Sequence, residues 1–316
     1  MQINAAPRRG FAHALVHADD ADELVTRTMP FVAAAAEDAG ARVALAVSEP
    51  AAELFRAEQG GIGAGAGTLT TLTRAARGSG QTVAAWRARE LRALCSSGRP
   101  VVVVTEHDPE LDGDDGGFWI ELEAALNISL DGLPITQICA YPRIPLHGAI
   151  ADAALANHPL RVRGQEMLPN PEHRPPAEVL ARMAIAPPHL LGPPDLQLSY
   201  NTFELSRVRD AVEEAAQASR LDRVRVEDMV QAVNEVATNA VEHGSPEAGL
   251  AVWTGSGELV CEVHDTGAIT LPLIGLAPPH PSQSRGRGTW IARQLCDSLH
   301  VWRAGDGTHV RLLAHA

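Results

Sequence analysis

An α/β unit with a mainly parallel sheet, followed by an α+β sandwich, is the fold class the sequence predicts. Three features carry it. Short apolar runs alternate with helical patterns over the first part of the chain, eight prolines fall within residues 168–196, and beyond them the rhythm changes to paired helices and hairpins.

In the first unit, residues 20–38 read as a helix stopped by Gly40. Residues 42–47 (RVALAV) form a short strand and 50–58 a helix, and the glycine-rich 59–67 is a loop. A second long helix covers 81–96. Residues 100–105 (PVVVVT) read as a buried parallel strand, 118–130 as a helix and 134–141 (PITQICAY) as another strand. Prolines at this density exclude a long helix or central strand, so 169–195 is a semi-rigid linker, with a short helix near 177–184. The expected domains are therefore 1–168 and 196–316.

In the second unit, 196–203 reads as a strand and 204–220 and 224–243 as helices, the latter apolar at Met229, Val233, Val236 and Val241. Strands at 250–254 and 258–264 follow, then a proline-rich loop, a helix over 288–297, and a hairpin of 299–303 with 308–313 turning at Asp306-Gly307. Helices on one face of a mixed or antiparallel sheet make an α+β sandwich.

Composition narrows the function classes. The 316 residues are 45% apolar and 21% charged, which excludes wholesale disorder. All 26 basic residues are arginine, which removes a P-loop lysine, a Schiff-base lysine and a kinase-fold lysine. The net charge is −13, and both halves are acidic (16 arginines against 24 acids up to residue 195, 10 against 15 beyond), so no nucleic-acid surface is expected. Cys95, Cys139, Cys261 and Cys296 are scattered, so their spacing indicates neither a zinc site nor a disulfide framework. No apolar run of about 18 residues and no hydrophobic leader is present; a cytoplasmic protein without a membrane partner is the expectation.

Several pieces of the second unit have chemical meaning together. Glu235 and Asn239 lie four apart and share a helix face, where a carboxylate and an amide oxygen orient water and hold a hard cation such as Mg²⁺. Asp265 ends a strand, and Gly267 after it lets a ligand approach the backbone, an arrangement that receives an exocyclic amine. Gly286 and Gly288, flanked by Arg285 and Arg287, open a helix whose exposed amides suit anionic phosphates. Thr308 begins the last strand. Taken singly, each is as well explained by a solvated face or a plain turn; their order is what distinguishes them.

That order resembles the GHKL (Bergerat-fold) ATPase family. NEVATNAVEHG is similar to its N box, HDTG to its first glycine box, RGRGTWIARQLCD to its second, and Thr308 to the threonine closing the adenine pocket. The unit resembles most the RsbW-type anti-sigma-factor serine kinases. The resemblance implies ATP and Mg²⁺ as cofactors, Glu235 as general base toward a serine, Asn239 as Mg²⁺ ligand and Asp265 as adenine reader. It places Gly286 and Gly288 beside the phosphates and implies a sigma factor and a STAS-type anti-anti-sigma factor as partners, with a homodimer among the family's states. Ala268 and Ile269 stand where many relatives have a second glycine, 270–284 is proline-rich, and GRGT replaces the commoner GRGL. These departures bear on lid closure and turnover rather than on nucleotide binding, and leave open a non-catalytic ATP-binding partner-switch protein. A sensor histidine kinase is the lesser alternative, because His158, His173 and His189 sit near prolines or in the linker rather than on a long amphipathic helix.

The first unit resembles the MEDS sensory domain, a RecA-like module that precedes such kinase domains in actinobacterial RsbA-like regulators. FAHALVHADDADELVTRTMPFV, ELEAALNISL, ICAYPR and ANHPLRVRGQEMLPNPEH carry this resemblance. It implies sensing of a small molecule. His13, Glu123, Asn127, Cys139, Tyr141 and His158 fall in these segments, and two readings stand for them: a polar ligand pocket, or buried core and turn residues, with metal binding the less favoured use. No nucleophile-plus-base arrangement marks this unit as an enzyme in its own right.

Overall fold

The structure is a computed structural model describing residues 10–58, 69–72, 79–113, 116–145, 147–183, 185, 187–189, 191–268, 273–280 and 286–316. The glycine-rich loop at 59–67, Arg285 and parts of the proline-rich stretch 270–284 lie outside the described residues. The chain divides into two compact units, one ending at Met183 and the other beginning at Ala184.

The first unit runs β1 (Ala12–His17), α1 (Ala21–Ala39), β2 (Arg42–Ala46), α2 (Glu49–Ala57), β3 (Thr70–Thr71), α3 (Gly80–Cys95), β4 (Val101–Glu106), α4 (Gly117–Ser129), β5 (Ile135–Tyr141), α5 (Gly148–Asn157), β6 (Leu160–Arg163), β7 (Glu166–Pro169) and α6 (Pro176–Ala181). Its seven strands lie in the order β3-β2-β4-β5-β1-β6-β7, parallel except for the terminal β6–β7 hairpin. Each parallel neighbour needs a crossover, which the helices supply. The Val101–Val104 run is buried at every position, as a strand covered on both faces must be.

Alternation along the strands sorts two faces. Ala14, Val16, Val43, Leu45, Val102, Val104, Ile138 and Ala140 pack with Leu24, Phe31 and Val32 of α1 and Phe55 of α2. His13, Leu15, Gln137, Cys139 and Tyr141 take the opposite parity, and His13, Cys139 and Tyr141 reach Glu123 and Asn127 of α4. Asp20 caps α1 by accepting from Glu23 N–H, and Gly40 ends it at φ 56°, the left-handed stop expected of a C-terminal glycine. β1, β3, α5, β6 and β7 are additions to the elements expected from the sequence. The proline-rich stretch contains α6, whose Val179 and Leu180 are buried within the first unit.

The second unit comprises β8 (Leu196–Tyr200), α7 (Leu205–Ala218), α8 (Arg223–Asn239), β9 (Ala248–Gly255), β10 (Glu258–Asp265), α9 (Gly288–Leu295), β11 (Ser298–Ala304) and β12 (Gly307–His315). The sheet is antiparallel throughout, in the order β11-β12-β10-β9-β8, and α7, α8 and α9 pack on one face. The core includes Val208 and Val212 of α7, Met229, Val233 and Val236 of α8, Val252 of β9, and Leu259 and Cys261 of β10. The first strand stops at Tyr200, short of the expected Phe203. Asn201 accepts from Phe203 N–H while Glu204 accepts from Asn201 N–H, and this capping box turns the chain into a 3₁₀ turn over Thr202–Glu204. The expected helix 224–243 ends at Asn239 and continues as a π-turn, Ala240–Gly244, with Ser245 N–H donating to Ala240 O at 2.9 Å. Among the described residues no helix is long and apolar enough to cross a membrane.

Met229 has no exposed surface and sits between α8 and the sheet. Met229→Ala will cost about 2–5 kcal/mol, read as a lower denaturant midpoint for the second unit. Phe203→Ala, at a side chain that is 96% exposed, will shift stability by less than about 0.5 kcal/mol.

Candidate functional site

The ends of α8 and β10 converge through the π-turn. Asp265 is the last residue of β10, paired with Ala248 on β9 and Thr308 on β12. Gly244, closing the π-turn, lies so near that a methyl group there would overlap the Asp265 carboxylate. Gly267 is held equally close, since a side chain on it would fall 2.5 Å from Gly244 Cα. Its N–H donates to Asp265 Oδ1 at 2.7 Å, and Thr308 Oγ1 donates to its carbonyl at 3.0 Å. Asp265 Oδ2 carries no hydrogen bond among the described residues. Burial raises the Asp265 pKa against the opposing pull of the Gly267 amide and of His264 and His309. A buried carboxylate with one oxygen pinned and the other without a hydrogen bond among the described residues has the chemistry to accept from an amine.

The other half of the site forms where α8 meets α9. Glu235 and Asn239 face the first turn of α9: a Cβ at Gly288 would lie 2.5 Å from Glu235 Oε2 and 3.3 Å from Asn239 Nδ2. Asn239 Nδ2 donates to Thr289 Oγ1 at 3.3 Å, leaving the amide oxygen for another partner. Only a glycine lets the amide-bearing end of α9 approach the two side chains so closely. Gly286 has φ 79°, and a Cβ placed on it would meet nothing within 4 Å, unlike one on Gly288.

Of the sequence-predicted residues, Asp265, Gly267 and Thr308 thus form one cluster and Glu235, Asn239 and Gly288 another. The last turn of α8 and the π-turn join them. Sequence reasoning did not single out Gly244 or Tyr200, and it noted Thr289 only as the residue that makes GRGT of the commoner GRGL. Tyr200 OH donates to Ala237 O at 3.3 Å and lies close enough to Asp265 for the carboxylate to raise its pKa further, beyond the effect of burial. The signal for Gly244 is the Gly-Ser-Pro stop at 244–246 after a long helical pattern.

The residues singled out in the first unit also come together. His13 on β1, Glu123 on α4, Cys139 on β5 and His158 at the end of α5 are all buried. His13 Nε2 lies 3.1 Å from Glu123 Oε2 and 3.2 Å from Cys139 Sγ. Asn127 Oδ1 accepts from His13 Nδ1 at 2.9 Å, and Tyr141 OH donates to Glu123 Oε1 at 2.7 Å. Burial lowers the pKa of His13, yet the Cys139 and Glu123 charges outweigh it and lift it to about 10. Burial raises that of Glu123, but His13, His158 and Tyr141 bring it to about 2. Burial and the His13 charge push His158 down to about 3. Glu123 and Gln137 border a cavity of about 30 Å³, large enough for water but not for an organic ligand. A larger cleft of about 760 Å³ lies elsewhere in this unit, lined by α5, α6 and the 171–175 segment.

Residues 199–313 match the family model of the histidine kinase-like ATPase domain, and residues 12–159 match MEDS, the methanogen/methylotroph DcmR sensory domain. No curated protein matches the chain. The chain therefore matches a MEDS domain followed by a histidine kinase-like ATPase domain, a combination that suggests a regulatory, kinase-like protein and implies ATP binding by the second unit.

Proposed function

We propose that this protein is an anti-sigma regulator of the partner-switching kind. In this reading it binds ATP with Mg²⁺, sequesters a sigma factor, and phosphorylates a serine of a STAS-type antagonist under control of the first unit. The observation that carries the proposal is the convergence of Glu235 and Asn239 on the glycine start of α9, one turn of chain away from Asp265, Gly267 and Thr308. Asp265 Oδ2 would accept from the adenine amine, with Thr308 closing the pocket. Asn239 would hold Mg²⁺ through its free amide oxygen, and the α9 amides would offset phosphate charge. Charge developing on the phosphates would be neutralised by Mg²⁺ when bound there. Glu235 would take the proton from the attacking serine as the phosphoryl group leaves ADP for its oxygen. None of these roles needs the lysine the chain lacks.

Ala268, in place of a second glycine after Asp-x-Gly, favours a second reading in which ATP binding without phosphotransfer sets the partner held. The two readings share the pocket and differ at Glu235.

Calorimetric titration of ATP·Mg²⁺ into the full chain should show saturable binding. Asp265→Asn turns an acceptor toward the adenine amine into a mixed group and should weaken binding roughly 10–100-fold, since a charge-assisted hydrogen bond is worth about 1.5–3 kcal/mol. Gly244→Ala should weaken it comparably by displacing the same carboxylate. A wild type that binds no ATP overturns the proposal.

With labelled ATP and a STAS-type protein as acceptor, the wild type should transfer phosphate, and Glu235→Ala should bind ATP yet transfer none. Binding without transfer in the wild type selects the second reading.

A further inference from the structure

The buried quartet of the first unit has the donor set, spacing and surroundings of a metal site. One ring nitrogen each of His13 and His158, one carboxylate oxygen of Glu123 and Cys139 Sγ all lie within 4.8 Å of one another. Besides the two short separations at His13, Glu123 Oε2 stands 3.8 Å from Cys139 Sγ and 3.9 Å from His158 Nε2. A tetrahedral ion with ordinary Zn–N, Zn–O and Zn–S bonds sets its ligand atoms about 3.3–3.6 Å apart, and the four separations that involve His13 or Glu123 given above lie within about 0.6 Å of that range.

The outer contacts aim each donor inward. Asn127 donates its Nδ2 to Asn157 O at 2.7 Å, so its Oδ1 must be the acceptor for His13 Nδ1–H, which leaves Nε2 to face the cluster. His158 Nδ1–H donates to Ala154 O at 2.6 Å, leaving the Nε2 lone pair pointed at Glu123. That Nε2 is fully buried and has no hydrogen-bond partner among the described residues, a state that costs stability unless something binds it. Tyr141 occupies Glu123 Oε1 and so presents Oε2, and Gln137 Nε2 donates to Cys139 Sγ at 3.1 Å, which holds the sulfur in the cluster.

We propose that His13, Glu123, Cys139 and His158 bind one divalent transition-metal ion, zinc by the chemistry of its donors. Two imidazoles, a thiolate and a carboxylate suit zinc in a closed tetrahedral site, and the two negative ligands neutralise its charge in a dry interior. With all four positions taken by protein, the ion is structural: it ties β1, α4, β5 and the end of α5 together at the middle of the sheet. Cysteine spacing could not reveal it, since only one cysteine contributes and the ligands are spread over 146 residues from His13 to His158.

The full chain, free of any affinity tag and produced in zinc-supplemented medium, should retain about one zinc per chain by elemental analysis after gel filtration. Cobalt(II) in its place should show a thiolate-to-cobalt charge-transfer band. Cys139→Ser should lose that band, His158→Gln should hold the metal at least tenfold more weakly, and removing zinc with a chelator should lower the melting temperature. A folded, monodisperse wild type that retains no stoichiometric zinc, or whose cobalt form lacks the thiolate band, overturns the proposal. The wild-type spectrum decides the matter alone should the variants not fold, and the ATP titrations of the second unit are unaffected by either result.

Discussion

The close approach of the Gly244 backbone to the Asp265 carboxylate is the constraint on which the second unit's site depends. The widened π-turn brings the end of α8 across to the end of β10, and the missing side chains at Gly244 and Gly267 let the three segments touch. Asp265 is then buried, one oxygen pinned by the Gly267 amide, with Thr308 anchored to the same loop from the next strand. A regular α-helix would carry residues 240–244 on along the α8 axis. Because α8 also bears Glu235 and Asn239, the turn sets the distance between the two halves of the site.

A different constraint orders the first unit. Its central strands are covered by helices on both faces, so polar side chains on them are buried whichever way they point. His13, Gln137, Cys139 and Tyr141 occupy one face of neighbouring β1 and β5, and the register sets His13 beside Gln137 and Leu15 beside Cys139. On α4, Glu123 and Asn127 are four residues apart and reach down onto that same face. Burial of so many polar groups is tolerable only where they satisfy one another, and among the described residues His158 Nε2, Gln137 Oε1 and Asn157 Oδ1 are the atoms of this face left without a hydrogen-bond partner.

Much of the second unit was legible in the chain. Helical spacing at Met229, Val233 and Val236, the Asp306-Gly307 turn, and the order of acid, amide and glycine motifs all report local preferences, and local preferences survive in a sequence. The proximity of Thr289 to Asn239, the part of Gly244, and the break of α8 at Asn239 were not legible, because they arise from packing between segments. In the first unit the strong apolar strands β2, β4 and β5 were visible. β1 was not, since its run AHALVH is interrupted by histidines whose burial only the sheet explains. The β6–β7 hairpin, four residues to a strand, is short enough to pass for turn.

By itself the sequence determined the two units of different rhythm, the acidic and lysine-free character, and the residue types available for nucleotide chemistry at Glu235, Asn239, Asp265 and Thr308. These follow from composition and from contacts within a few residues. Tertiary structure alone decided that Gly244 and Gly267 face one carboxylate, that Gly288 rests on Glu235, and that His13, Glu123, Cys139 and His158 share one buried space. The physical reason is range: a side chain's neighbours across a sheet or between helices are set by register and packing, and no window of sequence contains them.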